Sequence, residues 1–222
     1  MQCDSVEPWQ HGSVLRTPSV PDYWDVNAVR VEDAGVSAPV MLAAADRLLA
    51  AFAHRKVHVD DEATGAAARP AFAGAGWDHE RHAMLCRVGP PLPVAHEVRE
   101  VPLEATRALR LEWYGEYGSA AFMAAQEPIW ARRGMRAFMV GSGGFVTLAR
   151  GPGAVEIDSL YVTPQARGDG VGTSLVAAAL DAGGEDVCWI VTDDEGQARP
   201  LYERLGFETR WRYHDFVKPP AG

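Results

Sequence analysis

A long β-type run extends from Ala154 to Val162, apolar but for Glu156, Asp158 and Ser159, and Thr163-Pro164 closes it. Residues 170–182 then change period: Val171, Leu175, Ala179 and Ala182 fall on one helical stripe, stopped by Gly183-Gly184. Val187 to Thr192 predicts a strand. Ala198 to Leu205 predicts a short helix, with Pro200 tolerated in its first turn and Gly206 ending it. Phe207 to Val217 offers one or two last strands. Upstream, residues 97–101 predict a short strand, and 103–117 and 120–132 predict helices, the second ending near Gly134. Runs at 136–140 and 145–149 flank Gly141-Ser142-Gly143-Gly144, a hairpin signal. The order β-α-α-β-β-β-α-β-α-β predicts a mixed α/β sheet flanked by helices.

Gly89-Pro90-Pro91-Leu92-Pro93 cannot continue a helix or a central strand and reads as a linker. It cuts the chain at 92/93 into pieces of about 90 and about 130 residues, the second nearer a typical domain. The first piece echoes the end of the second. Ala68-Arg69-Pro70 precedes Gly76-Trp77 at the spacing by which Ala198-Arg199-Pro200 precedes Gly206-Phe207. Val57-His58-Val59-Asp60-Asp61-Glu62 mirrors Ile190-Val191-Thr192-Asp193-Asp194-Glu195. With a strand at 27–32 and a helix at 39–52, residues 1–92 read as a partial repeat, strand-helix-strand-helix-strand, of the later domain.

Composition narrows the class. Hydrophobic content of 47% and charged content of 23% suit a globular protein with a real core. The formal charge of −9, with Lys56 and Lys218 the two lysines, excludes a phosphate-tracking nucleic-acid binder. It leans weakly toward a cationic ligand. No apolar run approaches the roughly 20 residues that span a bilayer. Residues 1–10 carry Asp4 and Glu7 and do not read as a signal peptide. Cys3, Cys86 and Cys188 are odd in number and far apart, which fits a reducing cytosol better than a disulfide framework or a zinc site. His54 and His58 stand at i, i+4 but straddle a predicted helix-to-strand boundary, so no metal is expected there.

The chemistry concentrates at Arg167-Gly168-Asp169-Gly170-Val171-Gly172, between the 154–162 strand and the following helix. Alternate glycines let the backbone turn tightly and approach a ligand. The helix start presents unpaired N–H groups and a positive dipole end to an anion, and Arg167 adds a charge. The spacing GxGxG, with Thr173 where a third glycine would fall, is not a Rossmann fingerprint, and no lysine completes a P-loop.

These residues resemble the GCN5-related N-acetyltransferase (GNAT) superfamily. Its Arg/Gln-x-x-Gly-x-Gly/Ala signature is met by Arg167, Gly170 and Gly172, after Val162-Thr163-Pro164. A second family feature, a helix ending in Leu-Gly-Phe with a tyrosine four residues before the glycine, is met by Leu201 to Phe207 with Tyr202. The likeness covers about residues 94–217. It implies a splayed sheet with acetyl-CoA as co-substrate, and no metal, between the strands at 154–162 and 187–192. Backbone groups of Leu160, Tyr161 and Val162 would pair with the pantetheine arm. The N–H groups of Arg167, Gly168, Asp169, Gly170, Val171, Gly172 and Thr173 would hold the pyrophosphate.

Glu156 and Asp158 stand two apart, so a regular strand puts both on one face. Glu156 matches a position where several family members carry a general base, though the family's strand is often bulged there. A base and a cation-binding role both stay open for the pair. Tyr202 corresponds to the family's general acid for the departing thiolate. Trp113, Tyr114, Tyr117 and Trp130 lie where the family's first two helices cover the acceptor, and core packing explains them equally well. Asp193 and Asp194 are expected to form a turn and cap the next helix.

The resemblance therefore implies acetyl transfer to a primary amine on a small molecule or peptide. A silent acyl-CoA sensor and a transferase of another acyl group are the alternatives. The first piece has no Arg-x-x-Gly-x-Gly and places Phe72 near where Tyr202 would fall, so it is expected to shape the acceptor cleft and hold no second cofactor. A homodimer, common in the family, stays open beside internal use of the same surface by the half-copy.

Overall fold

The computed structural model describes residues 3–90, 92–115, 118–151, 153–184 and 187–220. In chain order these form β1 (Ser5–Trp9), β2 (Gly12–Arg16), β3 (Ala28–Val31), α1 (Ala38–Leu48), β4 (Arg55–Val59), α2 (Glu62–Gly74) and β5 (Asp78–Arg87). Then follow β6 (Arg99–Val101), α3 (Arg107–Tyr114), α4 (Ala120–Arg132), β7 (Arg136–Val140), β8 (Gly144–Gly151), β9 (Ala154–Val162), α5 (Val171–Gly183), β10 (Val187–Asp193), α6 (Arg199–Arg204) and β11 (Glu208–Lys218). This is the mixed α/β class, with a large mixed sheet flanked by helices.

Two compact units interleave along the chain. The first spans Met1–Met84, Asp193–Gly196 and Arg210–Gly222; the second spans Leu85–Thr192 and Gln197–Thr209. In the first unit, β1 and β2 form an antiparallel hairpin, β3 follows antiparallel, and β3 and β4 run parallel. β4 takes β11 as its antiparallel neighbour, from His214↔Val59 to Lys218↔Arg55. Helices α1 and α2 cover one face, enclosing Val29, Val31, Met41, Val57, Val59, Phe72, Trp77 and Phe216. The β1–β2 hairpin has no counterpart in the expectations. Each strand is five residues long, and Pro8 interrupts the first, a residue compatible with an edge strand.

In the second unit, β9 pairs with parallel β10 on one side and antiparallel β8 on the other, and β7 and β6 continue antiparallel. The single helix expected over 103–117 is instead a tight turn at Leu103–Thr106 followed by α3. One continuous strand, β11, stands where one or two were expected.

The two ends that share the Ala-Arg-Pro spacing also share their hydrogen bonds. Gly76 N–H donates to Ala73 O and Trp77 N–H to Phe72 O; Gly206 N–H donates to Glu203 O and Phe207 N–H to Tyr202 O. This 6→1 closure lets each short helix end on a glycine and start a strand. Phe72 stands at the position of Tyr202 but is fully buried, stacked on Phe216 at 4.1 Å and edge-on to Trp77 at 5.0 Å.

The other face of the first unit's sheet carries a buried charge cluster. Asp215, 5% exposed, lies directly across from His58. It accepts hydrogen bonds from His58 Nδ1 at 2.8 Å and pairs with Lys56 Nζ at 2.9 Å and His82 Nε2 at 3.4 Å. Burial opposes the Asp215 charge, but these three cations outweigh it and hold its carboxyl well below the ordinary value. Burial likewise opposes charge on His82, yet Asp215 and Glu80 raise it to about 9. Its contribution is therefore complete below the ordinary value of 6.5 and is lost as pH rises through about 9. The midpoint of thermal unfolding should fall over that interval. Asp215→Ala removes the carboxylate shared by Lys56, His58 and His82 but leaves each its second partner (Asp25, Asp60 and Glu80), and should cost about 1.5–3 kcal/mol in denaturant melts.

Candidate active site

The site forms where a parallel strand pair comes apart. β9 and β10 pair from Ala154↔Val187 to Ile157↔Ile190, and β9 then continues to Val162 without β10 as a partner. On its other edge β9 stays paired to β8, through Ser159↔Thr147 to Val162↔Gly144. Leu160, Tyr161 and Val162 therefore present one backbone edge to the opening, as an added strand would require.

A bulge sits at the point of separation. The β8 register passes from Thr147↔Ser159 to Leu148↔Ile157, leaving Asp158 without a partner opposite. The extra residue reverses the alternation of side chains. Val155 approaches Gly183 of α5, and Val162 approaches Gly172 of the same helix, although seven residues separate them. Glu156, Asp158 and Tyr161 all turn the other way, toward α3 and the end of α4. A regular strand would place Tyr161 opposite Glu156; the bulge is the one the family resemblance allowed for.

The glycine turn lies beyond β9. Thr163-Pro164 opens a tight turn over Pro164–Ala166, and Gly168 and Gly170 follow at φ +89° and +84°, a region that side chains disfavour. Gly170 caps α5, so the N–H groups of Val171, Gly172 and Thr173 have no partner within the helix. Arg167, at the rim, donates Nε–H to Val162 O at 3.1 Å. These positions fit a pyrophosphate: the backbone is bare and the helix end points its donors outward.

Arg133, just past α4, joins the two carboxylates. Its Nη1 donates to Asp158 Oδ1 at 2.7 Å and its Nη2 to Glu156 Oε2 at 3.0 Å. The pair is not symmetric. Asp158, with its side chain 18% exposed, also accepts Ser159 Oγ–H at 3.1 Å, whereas Glu156 is 42% exposed with Oε1 unengaged among the described residues. Enclosure in the cleft wall raises the Glu156 pKa, Asp158 adds to the rise, and Arg133 opposes it. Neither Arg133 nor its role was visible in the sequence, because no spacing links residue 133 to 156 and 158.

Tyr202 on α6 is 5% exposed and edge-on to Phe207 at 5.9 Å; burial raises its pKa, so the phenol stays protonated at neutral pH. Arg87, 7% exposed, donates to Leu205 O at 2.7 Å and caps the end of this helix. Tyr161 donates its hydroxyl to Glu112 Oε1 at 2.8 Å. Of the aromatics expected near an acceptor, Trp130 is fully buried under the Arg110 guanidinium at 4.6 Å, and Trp113 is 39% exposed. Tyr114 accepts from Gln126 at 3.2 Å. Tyr117 lies outside the described residues.

The capping role expected of Asp193 and Asp194 is corrected. Asp193 accepts Glu195 N–H at 3.0 Å and so forms a turn, but no side chain caps α6, whose cap residue is Ala198. Asp194 is a buried anion instead, paired with Arg212 at 3.0 Å and Arg81 at 3.3 Å. His54 donates to Asn27 O at 2.9 Å and stacks on Trp24 at 5.3 Å.

A mixed α/β unit with a bulged strand diverging from its parallel neighbour above a glycine-capped helix defines a splayed-sheet acyltransferase architecture. The chain belongs to the acetyltransferase (GNAT) family, whose model matches residues 96–207, half of the sequence. Acyl transfer is the general role this membership carries.

Solved structures share the fold at low identity. A conserved protein of unknown function from Staphylococcus epidermidis aligns over 99% of this chain and 95% of its own, at 12% identity and a TM-score of 0.76. A GCN5-related N-acetyltransferase from Kribbella flavida aligns over 98% and 91%, at 18% identity and a TM-score of 0.65. A tandem GNAT protein from the clavulanic acid biosynthesis pathway aligns over 83% and 70%, at 17% identity and a TM-score of 0.52. None of the curated protein sequences compared with this chain matches it.

Because Arg133 lowers the Glu156 pKa against its surroundings, Arg133→Met should raise it further. A carboxyl-resolved NMR titration should show the Glu156 midpoint moving to higher pH; an unmoved midpoint would remove the coupling.

Proposed function

We propose that the chain is an acetyl-CoA-dependent N-acetyltransferase that moves an acetyl group directly to a primary amine on a small molecule or peptide. The observation that carries this reading is the separation of β9 from β10 after Ile157↔Ile190, opening an unpaired strand edge above the glycine turn. In this reading, the Leu160–Val162 backbone holds the pantetheine arm, and the N–H groups from Arg167 to Thr173 hold the pyrophosphate. Bound there, acetyl-CoA supplies the activated acetyl group.

The amine must lose a proton to attack, since an ammonium of pKa near 10 has no free lone pair. Glu156 fits the base: it is the more exposed carboxylate, its pKa is raised, and one oxygen is unengaged among the described residues. Asp158 and Arg133 position it. The new carbon–nitrogen bond replaces the carbon–sulfur bond, and in this reading Tyr202 is the group assigned to the charge left on sulfur. Its raised pKa makes full proton transfer to a thiolate uphill, so its contribution is chiefly a hydrogen bond to the developing anion.

The Arg133 bridge also favours a second reading, a cofactor-binding module without turnover, because a guanidinium already occupies the carboxylate pair. Calorimetry with acetyl-CoA, wild type beside Gly170→Tyr, tests the site common to both readings. Wild type should bind and the folded variant should not; absence of binding by folded wild type would sink both. A thiol-release screen over amines then separates them.

Where turnover is found, Tyr202→Phe should lower kcat by about tenfold or more, as loss of a hydrogen bond to a charged group does, with acetyl-CoA affinity spared. Glu156→Gln should abolish the acidic limb of the kcat/KM profile; a retained limb would assign it to another group.

A further inference from the structure

The glycines permit the turn at 168–170 but do not choose its orientation. A peptide between glycine-flanked residues flips easily, and a flip at Asp169–Gly170 would turn a carbonyl oxygen where an N–H is needed. Something else must hold the plane.

That contact comes from the segment before β6. His96 Nε2 lies 2.6 Å from the Asp169 carbonyl oxygen. A carbonyl only accepts, so this nitrogen carries the proton and donates. The same segment is anchored on α5: Ala95 N–H and His96 N–H both donate to Ser174 Oγ, at 3.1 and 3.2 Å. Ser174, fully buried, donates that hydroxyl to Gly170 O at 3.1 Å, and Ser174 N–H reaches the same oxygen at 3.0 Å. The carbonyls of Asp169 and Gly170 are thus both engaged on the protein side. A Cβ built on Gly170 would come 4.0 Å from His96 Nε2, so the ring sits directly against the turn.

We propose that His96 is a positioning residue for the phosphate cradle: by donating to Asp169 O it holds the 169–170 peptide so that Gly170 N–H faces the ligand. In a trans peptide the C=O and the next N–H point oppositely, so anchoring one aims the other. The inference rests on coenzyme A binding at this turn, and it adds a residue outside the Arg167–Gly172 motif whose effect is confined to the phosphate end of the ligand.

The test measures coenzyme A by calorimetry, and pantetheine, which lacks the pyrophosphate, by ligand-observed NMR. Wild type is compared with His96→Leu and His96→Gln, whose amide keeps a donor. His96→Leu should bind coenzyme A about tenfold more weakly. His96→Gln should stay within about threefold of wild type, and pantetheine binding and thermal midpoints should be unchanged. Coenzyme A affinity unaltered in His96→Leu, or pantetheine weakened as much as coenzyme A, would overturn the assignment. Wild type that binds no coenzyme A would remove the parent reading and this one together.

Discussion

One unpaired residue, Asp158, governs the geometry of the second unit. By standing as an extra residue between the β8 partners of Ile157 and Ser159, it marks the point where β9 and β10 stop pairing. It also reverses the side-chain alternation, so that Glu156 and Tyr161, five positions apart, share a face. Without the extra residue, the alternation of side chains would turn Tyr161 toward α5. A bulge costs a ladder hydrogen bond and buys an opening that carries backbone donors, backbone acceptors and two carboxylates.

The first unit shows what the same order of elements does without that residue. β3 and β4 remain paired through Val31↔Val59, Asp60 N–H then donates to Val31 O at 3.0 Å, and Gly35 N–H is taken by Thr64 Oγ1 at 2.7 Å. Backbone groups at the end of its parallel pair are thus taken up by the chain itself. Its polarity went elsewhere, into the Asp215 cluster on the sheet face away from α1 and α2. There Lys56, His58 and His82 are balanced by carboxylates, an arrangement whose parts support one another and whose individual loss is costly.

What the sequence makes legible is whatever lies within a few residues of its own cause. Gly168 and Gly170 announce a turn because glycine answers a backbone need at its own position. The Leu201–Phe207 helix end announces itself because its closing bonds join residues five apart. Glu156 and Asp158 share a face by period alone, and the extents of α4 and β9 follow from composition and punctuation. What escaped depends on distance. Arg133 reaches Glu156 and Asp158 across more than twenty positions, and His58 meets Asp215 at a separation of 157. The bulge is written in no residue type and was signalled only by the family resemblance, since Asp158 is ordinary in a strand that needs a polar face. Asp194 misled for the converse reason: a helix-capping residue by type became a buried ion-pair anchor by location.

The electrostatics of the cleft follow from how few charges are left unbalanced there. Two carboxylates share the Arg133 guanidinium, and Asp158, with two donors, is the better satisfied of the two. At Glu156, enclosure and the neighbouring anion favour the neutral form. Arg133, at the end of α4, lowers the proton affinity of Glu156 against these two effects. The assignment of roles between two chemically equal side chains is a property of their second partners.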